Sequence, residues 1–234
     1  MRFKELATGA YIFAALTGKD YQSGYQEAVN DARFLGKLRT APSVDDLQRL
    51  IAVLKHHGVS YLPLNMADEY LSVWPKLKRR LDKLAGEDIE TCDFHDSRVV
   101  RNIKSAAFYL QWPSMMGDDM LASKVLHFFN PSLFVMWDKD VATDLSGPIG
   151  PRGYLEFLRD RQLHAREINA DFKSLSLPGT PAEFLSQKLC YQGVRPLTRL
   201  LSDCNWVNIK SSNHRWLAAI RKCRQELPGW ITRL

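Results

Sequence analysis

The sequence of 234 residues has few of the signals that mark β-strands, repeats or membrane segments. Alternating polar and apolar residues, the pattern of a half-buried strand, are almost absent. No internal repeat or low-complexity tract is present. No apolar run approaches the roughly 18 residues that span a bilayer. We therefore predict an all-α, soluble protein that has no membrane partner.

Cysteine is also scarce, and its positions exclude the common zinc motifs. The four cysteines are Cys92, Cys190, Cys204 and Cys223. They form no C-x-x-C pair and no zinc-like spacing with histidine, so no metal site is predicted. Reduced, buried thiols of a cytoplasmic protein are the ordinary interpretation of such scattered cysteines.

Signals for helix starts and ends recur along the chain. Ser43 and Asp46, three residues apart, approximate a capping box in front of a helical apolar pattern. Asp96 is expected to cap a helix that runs to Trp112. Pro75 either kinks the helix that precedes it or begins a new one.

A stretch rich in glycine and proline, residues 146–153, is the clearest candidate linker. Helical patterns resume at Tyr154 and continue to the end of the chain. We therefore predict a helical part at 1–146, a hinge or linker at 147–153 and a helical subdomain at 154–234.

The positive charge of the chain is concentrated near its end. The formal net charge is +6, and the pI is about 9.1. From Arg195 onward the sequence has eight lysine and arginine residues against two acidic residues. This distribution is compatible with binding to phosphate backbones, and equally with a solvated helical face.

Lys124 lies where a lysine is costly. Residues 118–130 have the pattern of a helix that stops before Pro131. At about 100° per residue, Lys124 falls on the same side as the apolar residues, with His127 beside it. A buried ammonium reaches water, pairs with an anion, or loses its proton and becomes a nucleophile.

Asp138 follows fourteen residues after Lys124 and is expected to begin the next helix. In one interpretation Lys124 is a nucleophile, and the Asp138 carboxylate supports a developing cation nearby. In the other, Lys124 extends its ammonium into water and Asp138 is an N-cap. His127 either relays a proton or bridges core and solvent.

The segments around Lys124 and Asp138 resemble a known catalytic stretch. Ser-Lys-Val-Leu-His at 123–127, Pro131, and Trp-Asp-Lys-Asp-Val at 137–141 are similar to helix-hairpin-helix DNA glycosylases, particularly the 8-oxoguanine type. The resemblance covers about 112–145. It implies two helical subdomains with an active-site cleft between them.

The resemblance also implies a chemistry and a partner. Lys124 would attack the sugar C1′ of a flipped nucleotide and form a Schiff base, and Asp138 would stabilise the oxocarbenium-like transition state. Neither a metal nor an organic cofactor is implied. The partner would be DNA, contacted by Gly117 and Lys139. Arg221 and Lys222, which lie in the basic C-terminal region outside the resemblance, are further candidates for nucleic-acid contacts.

The sequence departs from the family at the hairpin. The family has two glycines that present backbone amides to a phosphate, whereas this chain has Gly117 alone, followed by Asp118 and Asp119. The interval from Lys124 to Asp138 is also shorter than is usual in the family. Two alternatives therefore stay open: a non-catalytic helical module that binds nucleic acid or protein, and a catalytically inactive relative of the glycosylases.

Overall fold

The computed structural model describes residues 1–56, 66–114, 119–137 and 150–234. Within these ranges the regular elements are helices and no strand occurs, which confirms the prediction of an all-α fold. Within the same ranges, no helix combines the length and the apolar character that a membrane crossing requires.

The α-helices of the described ranges are α1 (Phe3–Asn30), α2 (Ala32–Thr40), α3 (Val44–His56), α4 (Met66–Leu81), α5 (Ser97–Ser114), α6 (Asp119–Phe129), α7 (Pro151–Ser174), α8 (Pro181–Lys188), α9 (Leu197–Lys210), α10 (His214–Gln225) and α11 (Gly229–Thr232). A 3-10 helix (Asp82–Leu84) follows α4 directly.

Local sequence signals account for many of the helix starts. The backbone N–H of Ser43 donates to the Asp46 carboxylate at 3.0 Å, and the Asp46 N–H donates back to the Ser43 hydroxyl at 3.2 Å. This reciprocal pair satisfies N–H groups that the first turn of α3 leaves without helical partners. The predicted cap at Asp96 also forms, because its carboxylate accepts from the Arg98 N–H at 2.7 Å.

Helix ends agree less closely with the sequence patterns. Helix α4 continues through Pro75 to Leu81, so the proline does not begin a new helix. The helix expected from Tyr154 begins three residues earlier, at Pro151, which suits a first helical position because proline has no N–H to leave unpaired. Residues 147–149 of the predicted linker lie outside the described ranges, and the division into 1–146 and 154–234 stays a prediction.

Helix α1 packs along the C-terminal helices. It contacts α9 most extensively and also touches α7 and α10. Gly9 makes the approach to α9 possible, because a Cβ atom at this position would lie 2.5 Å from the Cys204 Sγ atom. Farther along, α1 is interrupted at Gly18, whose φ of 72° and ψ of 172° are not helical.

Helix α6 lies in the core of the molecule. It contacts α5, α2 and α7, and α5 in turn packs against α4. Residues 121–130 are buried without interruption. A helix that is buried on all sides must satisfy its polar side chains inside the protein, so the polar residues of α6 have to find partners in the surrounding helices.

Candidate functional site

Lys124 lies in the core rather than on the surface. Only 5% of its surface is exposed, and its neighbours Ser123 and Val125 are buried as well. An ammonium extended into bulk water requires far more exposure, so the interpretation in which Lys124 covers apolar surface and reaches solvent does not fit this position.

Trp137, in the segment that follows α6, is hydrogen-bonded to the helix turn that contains Lys124. The Trp137 N–H donates to the Ser123 hydroxyl at 2.9 Å, and this hydroxyl donates to the Trp137 carbonyl at 3.2 Å. The Trp137 ring stacks on Tyr154 and Phe157 of α7, with ring centroids 5.7 and 5.8 Å apart. Residue 137, directly before Asp138 in the sequence, therefore lies against the turn of Lys124.

The other residues predicted for this part of the site lie outside the described ranges. They are Gly117, Asp138 and Lys139. Their positions stay predictions, as do the catalytic roles of Lys124 and Asp138.

His127, one turn after Lys124, has both ring nitrogens occupied inside the protein. The Phe134 carbonyl lies 2.6 Å from Nδ1, and the Tyr25 hydroxyl lies 2.6 Å from Nε2. A carbonyl only accepts, so Nδ1 carries the proton, and Nε2 accepts the hydroxyl proton of Tyr25. His127 was predicted either to relay a proton or to bridge core and solvent. In the structure His127 has no exposed surface.

Burial sets the protonation states of this pair. It lowers the pKa of His127 to about 3, and the charges of Arg199 and Arg195 act in the same direction. The hydrogen bond to Phe134 opposes this shift. Burial also raises the pKa of Tyr25. At neutral pH, His127 is therefore a neutral acceptor and Tyr25 a neutral donor.

A buried ion cluster lies beside this pair. An Arg195 Nη atom is 2.8 Å from one oxygen of Asp203, and the Arg199 Nε atom is 3.0 Å from the other. All three side chains are at most 5% exposed. Burial raises the pKa of Asp203, whereas the two guanidinium charges lower it. The two guanidinium groups favour the ionised carboxylate, but burial outweighs them and the net shift of the Asp203 pKa is upward.

Aromatic rings cover the cluster and join it to His127. Arg195 lies over the Tyr191 ring at 4.0 Å, and Arg199 lies over the Tyr25 ring at 4.8 Å. Cations over aromatic faces are attracted by the negative face of the ring. Tyr25 thus contacts both Arg199 and His127, so the ion cluster and the polar side of α6 are continuous.

Sequence reasoning missed this cluster because it counted the two arginines as surface charge. Arg199 and Asp203 are four residues apart, so both lie on one face of α9. That spacing was a usable signal for their ion pair. No local sequence pattern predicts that the pair is buried. None predicts that Arg195 approaches from the preceding loop either.

The predicted nucleic-acid-contacting residues of the C-terminal region lie apart from α6. Arg221 and Lys222 are exposed on α10, together with Arg215 and Arg224. Ile220, the residue before Arg221, is fully buried, so α10 packs against the protein through this residue. Within the described ranges, none of these four basic residues forms an ion pair. The outer face of α10 is therefore an exposed basic surface.

Comparisons with models of protein families, with curated protein sequences and with solved structures find no match to this chain. Among the residues that the structure describes, no three His, Cys, Asp or Glu side chains are grouped to hold a metal ion.

Proposed function

We propose that this chain is a glycosylase-like protein that cleaves the N-glycosidic bond of a flipped nucleotide in DNA, with Lys124 as the nucleophile and Asp138 as its electrostatic partner. The observation that carries the proposal is the pair of hydrogen bonds between Ser123 and Trp137. These hydrogen bonds join Trp137, the residue before Asp138, to Ser123, the residue before Lys124. The proposed pairing of Lys124 with Asp138 is compatible with this attachment of Trp137, and the position of the Asp138 carboxylate is part of the proposal.

The proposal includes the two helical subdomains of the glycosylase family, with the active-site cleft between them. Helix α6 contacts α5 on one side and α7 on another. A catalytic helix placed between two packed groups of helices is a rigid support for a nucleophile.

The proposed reaction needs only the chain and its substrate. The free amine of Lys124 attacks C1′, the bond from C1′ to the base breaks, and the base leaves with the electron pair and takes up a proton. The attacking nitrogen loses a proton, the bond from C1′ to O4′ opens with protonation of the oxygen, and an iminium remains. The Asp138 carboxylate stabilises the positive charge that develops at C1′.

His127 acts through its position in this proposal. Its hydrogen bonds to Tyr25 and to the Phe134 carbonyl fix the helix turn that follows Lys124. We therefore treat it as a positioning residue for α6. The basic face of α10, including Arg221 and Lys222, supplies contacts to phosphates.

Borohydride trapping tests the enzyme proposal. Hydride converts the iminium into a stable amine, so a covalent adduct with abasic-site or damaged-base duplex DNA is expected for the unaltered protein. The adduct should disappear in Lys124→Gln and persist in Lys76→Gln, which removes an exposed lysine of α4. The Asp138→Asn variant should form the adduct more slowly, by about tenfold or more.

Two results would contradict the proposal. One is the absence of an adduct with every substrate. The other is an adduct that survives in a Lys124→Gln protein whose circular dichroism spectrum is that of the unaltered chain.

The exposed basic face of α10 favours a second candidate, a non-catalytic module that binds nucleic acid, which includes a catalytically inactive glycosylase relative. Binding would then weaken steeply as salt rises, because each neutralised phosphate releases counterions. It would also weaken in Arg221→Gln and Lys222→Gln. No adduct would form, and Lys124→Gln would leave binding unchanged.

A further inference from the structure

A stripe of basic residues that ends at an exposed aromatic ring runs along the outer side of α5. At about 100° per residue, one side of this helix carries Arg98, Arg101, Lys104, Ser105 and Phe108. Residues 98, 101 and 108 are exposed, and residues 104 and 105 are partly exposed. The buried apolar residues of α5 lie on the opposite side of the helix: Ile103, Ala106, Ala107 and Leu110. From Arg98 to Phe108 the stripe is about 15 Å long, because a helix rises about 1.5 Å per residue.

The cations of this stripe retain their charge for a partner. Within the described part of the chain, Arg101 and Lys104 form no ion pair. Arg98 lies 3.6 Å from the Asp96 carboxylate, but its side chain is 80% exposed, and so open a pair contributes little. Residues 97–110 contain no acidic residue, so no negative charge of this part of α5 offsets the stripe.

The basic run of α4 adjoins this stripe. An Arg80 Nη atom donates to the Asn102 side-chain oxygen at 3.3 Å, which places the end of α4 beside the first turns of α5. The acceptor is neutral and Arg80 is partly exposed, so the charge of Arg80 also remains available. Residues 75–84 contain five lysine and arginine residues against one acidic residue, Asp82, which pairs with Lys78. Cations of two packed helices therefore converge on one surface, the α4–α5 face, which consists of Arg80, Arg98, Arg101, Lys104 and Phe108.

Phe108 adds an aromatic surface at the end of this face. Of the aromatic side chains that the structure describes, Phe108 alone has half or more of its surface exposed, at 51%. Its ring meets the ring of Tyr109 edge to face, with centroids 6.1 Å apart, and this contact helps to orient it. A planar group stacked on Phe108 would remove apolar surface from water.

We propose that the α4–α5 face binds a single strand of nucleic acid, in which Arg80, Arg101 and Lys104 contact phosphates and a base stacks on Phe108. Cations that follow the backbone, together with an aromatic ring that stacks on a base, are the features of single-strand binding without sequence preference. The ring favours a single strand over a duplex, because the bases of a duplex are already stacked on one another. The strand is either DNA or RNA, since both offer phosphates and unstacked bases.

An anionic membrane surface matches this face less well. A helix that lies in the membrane interface buries a broad apolar side, whereas Phe108 is the one exposed large apolar side chain of residues 97–110. The face is also separate from Lys124, which is buried in α6. The inference therefore goes beyond the proposed glycosylase chemistry.

Fluorescence anisotropy of the full chain with a labelled oligothymidine tests the stacking contact. A matched strand in which stable abasic spacers replace every base keeps the phosphates and removes the stacking partner. We expect the unaltered protein to bind oligothymidine about 5- to 100-fold more tightly than the spacer strand, the contribution of one stacked base. Phe108→Ala should lose this preference, and Phe108→Trp should keep it.

The salt dependence of the same binding tests the cations. Each phosphate contact that is lost should reduce the slope of log affinity against log salt by about 0.7 for a single strand. Arg101→Gln and Lys104→Gln should each show this smaller slope, whereas Phe108→Ala should weaken binding without changing the slope. Lys173→Gln, which removes an exposed lysine of α7, is the matched control and should change neither quantity.

Oligodeoxyadenosine and oligoadenosine, which differ only in the 2′-hydroxyl, distinguish DNA from RNA as the preferred strand. Equal affinity of the unaltered protein for the base-bearing and spacer strands would refute the proposal. So would salt slopes of Arg101→Gln and Lys104→Gln that match Lys173→Gln, or binding to phosphatidylserine vesicles without binding to any oligonucleotide. Lys124→Gln should bind oligothymidine normally, so this proposal and the glycosylase proposal fail separately.

Discussion

At the scale of single residues, His127 shows how burial and two hydrogen bonds fix a chemical state. The donor at Nδ1 and the acceptor at Nε2 are determined by the Phe134 carbonyl and the Tyr25 hydroxyl. A protonated imidazole has two donors and no acceptor, so protonation would break the bond with the Tyr25 hydroxyl proton. The low pKa of His127, about 3, follows mainly from full burial, and the charges of Arg199 and Arg195 add to it.

This shift predicts how stability depends on pH. In the unfolded chain His127 titrates near its ordinary pKa of about 6.5, whereas in the folded protein it titrates near 3. Between these values the unfolded state binds more protons, so the contribution of His127 is fully present above pH 6.5 and is lost as the pH falls toward 3. The loss is at most about 1.4 kcal/mol per pH unit.

Urea denaturation at a series of pH values between 7 and 4 measures this loss. His127→Gln should be less stable than the unaltered chain at pH 7, and its stability should fall less steeply with acid. His214→Gln, which changes an exposed histidine at the start of α10, should keep the original slope. An unchanged slope in His127→Gln would contradict the assignment.

At the scale of elements, the contact between α1 and α9 depends on a missing side chain. Gly9 faces Cys204 so closely that a Cβ atom would meet Sγ at 2.5 Å and Cβ at 2.9 Å. Gly24, farther along the same helix, has no atom within 4 Å of an added Cβ. Alanine substitutions at these two glycines therefore distinguish the effect of packing on stability from the effect of helix propensity.

Gly9→Ala should destabilise the fold by about 1–3 kcal/mol, because the added methyl group forces α1 and α9 apart. Gly24→Ala should instead stabilise it by up to about 1 kcal/mol, since alanine favours the helix over glycine. Thermal or urea denaturation of the two variants measures both effects. Equal changes in the two proteins would show that the α1–α9 contact is looser than the structure indicates.

At the scale of the whole molecule, the buried ion cluster joins distant parts of the chain. Asp203 holds Arg195, in the loop before α9, and Arg199, on α9 itself. Arg199 then contacts Tyr25 of α1, and its Nη atom lies 3.3 Å from the Met136 sulfur. The cluster thus fixes the N-terminal helix, α9 and the segment after α6 relative to one another.

Removing Asp203 should therefore cost far more than removing a surface acid. Asp203→Ala leaves two buried guanidinium groups without their carboxylate, and we expect a loss of about 3–5 kcal/mol. Asp82→Ala breaks the exposed pair with Lys78 on α4 and should cost less than about 1 kcal/mol. Chemical denaturation of both variants checks the comparison, and similar small losses would mean that the cluster does not stabilise the fold.

The burial of Arg195 and Arg199 also changes the interpretation of the net charge. The sequence count placed both among the basic residues available to a polyanion. In the structure they are neutralised in part by Asp203, and the charge available to a partner lies on α10 and its neighbours. If the protein binds nucleic acid, the decrease of affinity with rising salt should therefore come from exposed residues such as Arg221 and Lys222.

The sequence by itself determined the helical class and many helix starts. Ser43 with Asp46, and Asp96, cap helices through bonds to residues within three positions, so their signals are local. Periodicity also placed Lys124 among apolar residues, and it is buried in the structure. Helix boundaries were predicted less well: the helix expected from Tyr154 begins at Pro151, because where a helix begins or ends also depends on what it packs against.

Only the tertiary structure decided which polar groups meet. Tyr25 and His127 are 102 positions apart, and Lys4 and Arg224 come to one cleft from opposite ends of the chain. A local sequence pattern contains no information on such pairs, because their contact depends on how whole helices pack. The environment of Lys124, the protonation state of His127 and the cleft between α1 and the C-terminal helices all follow from that packing.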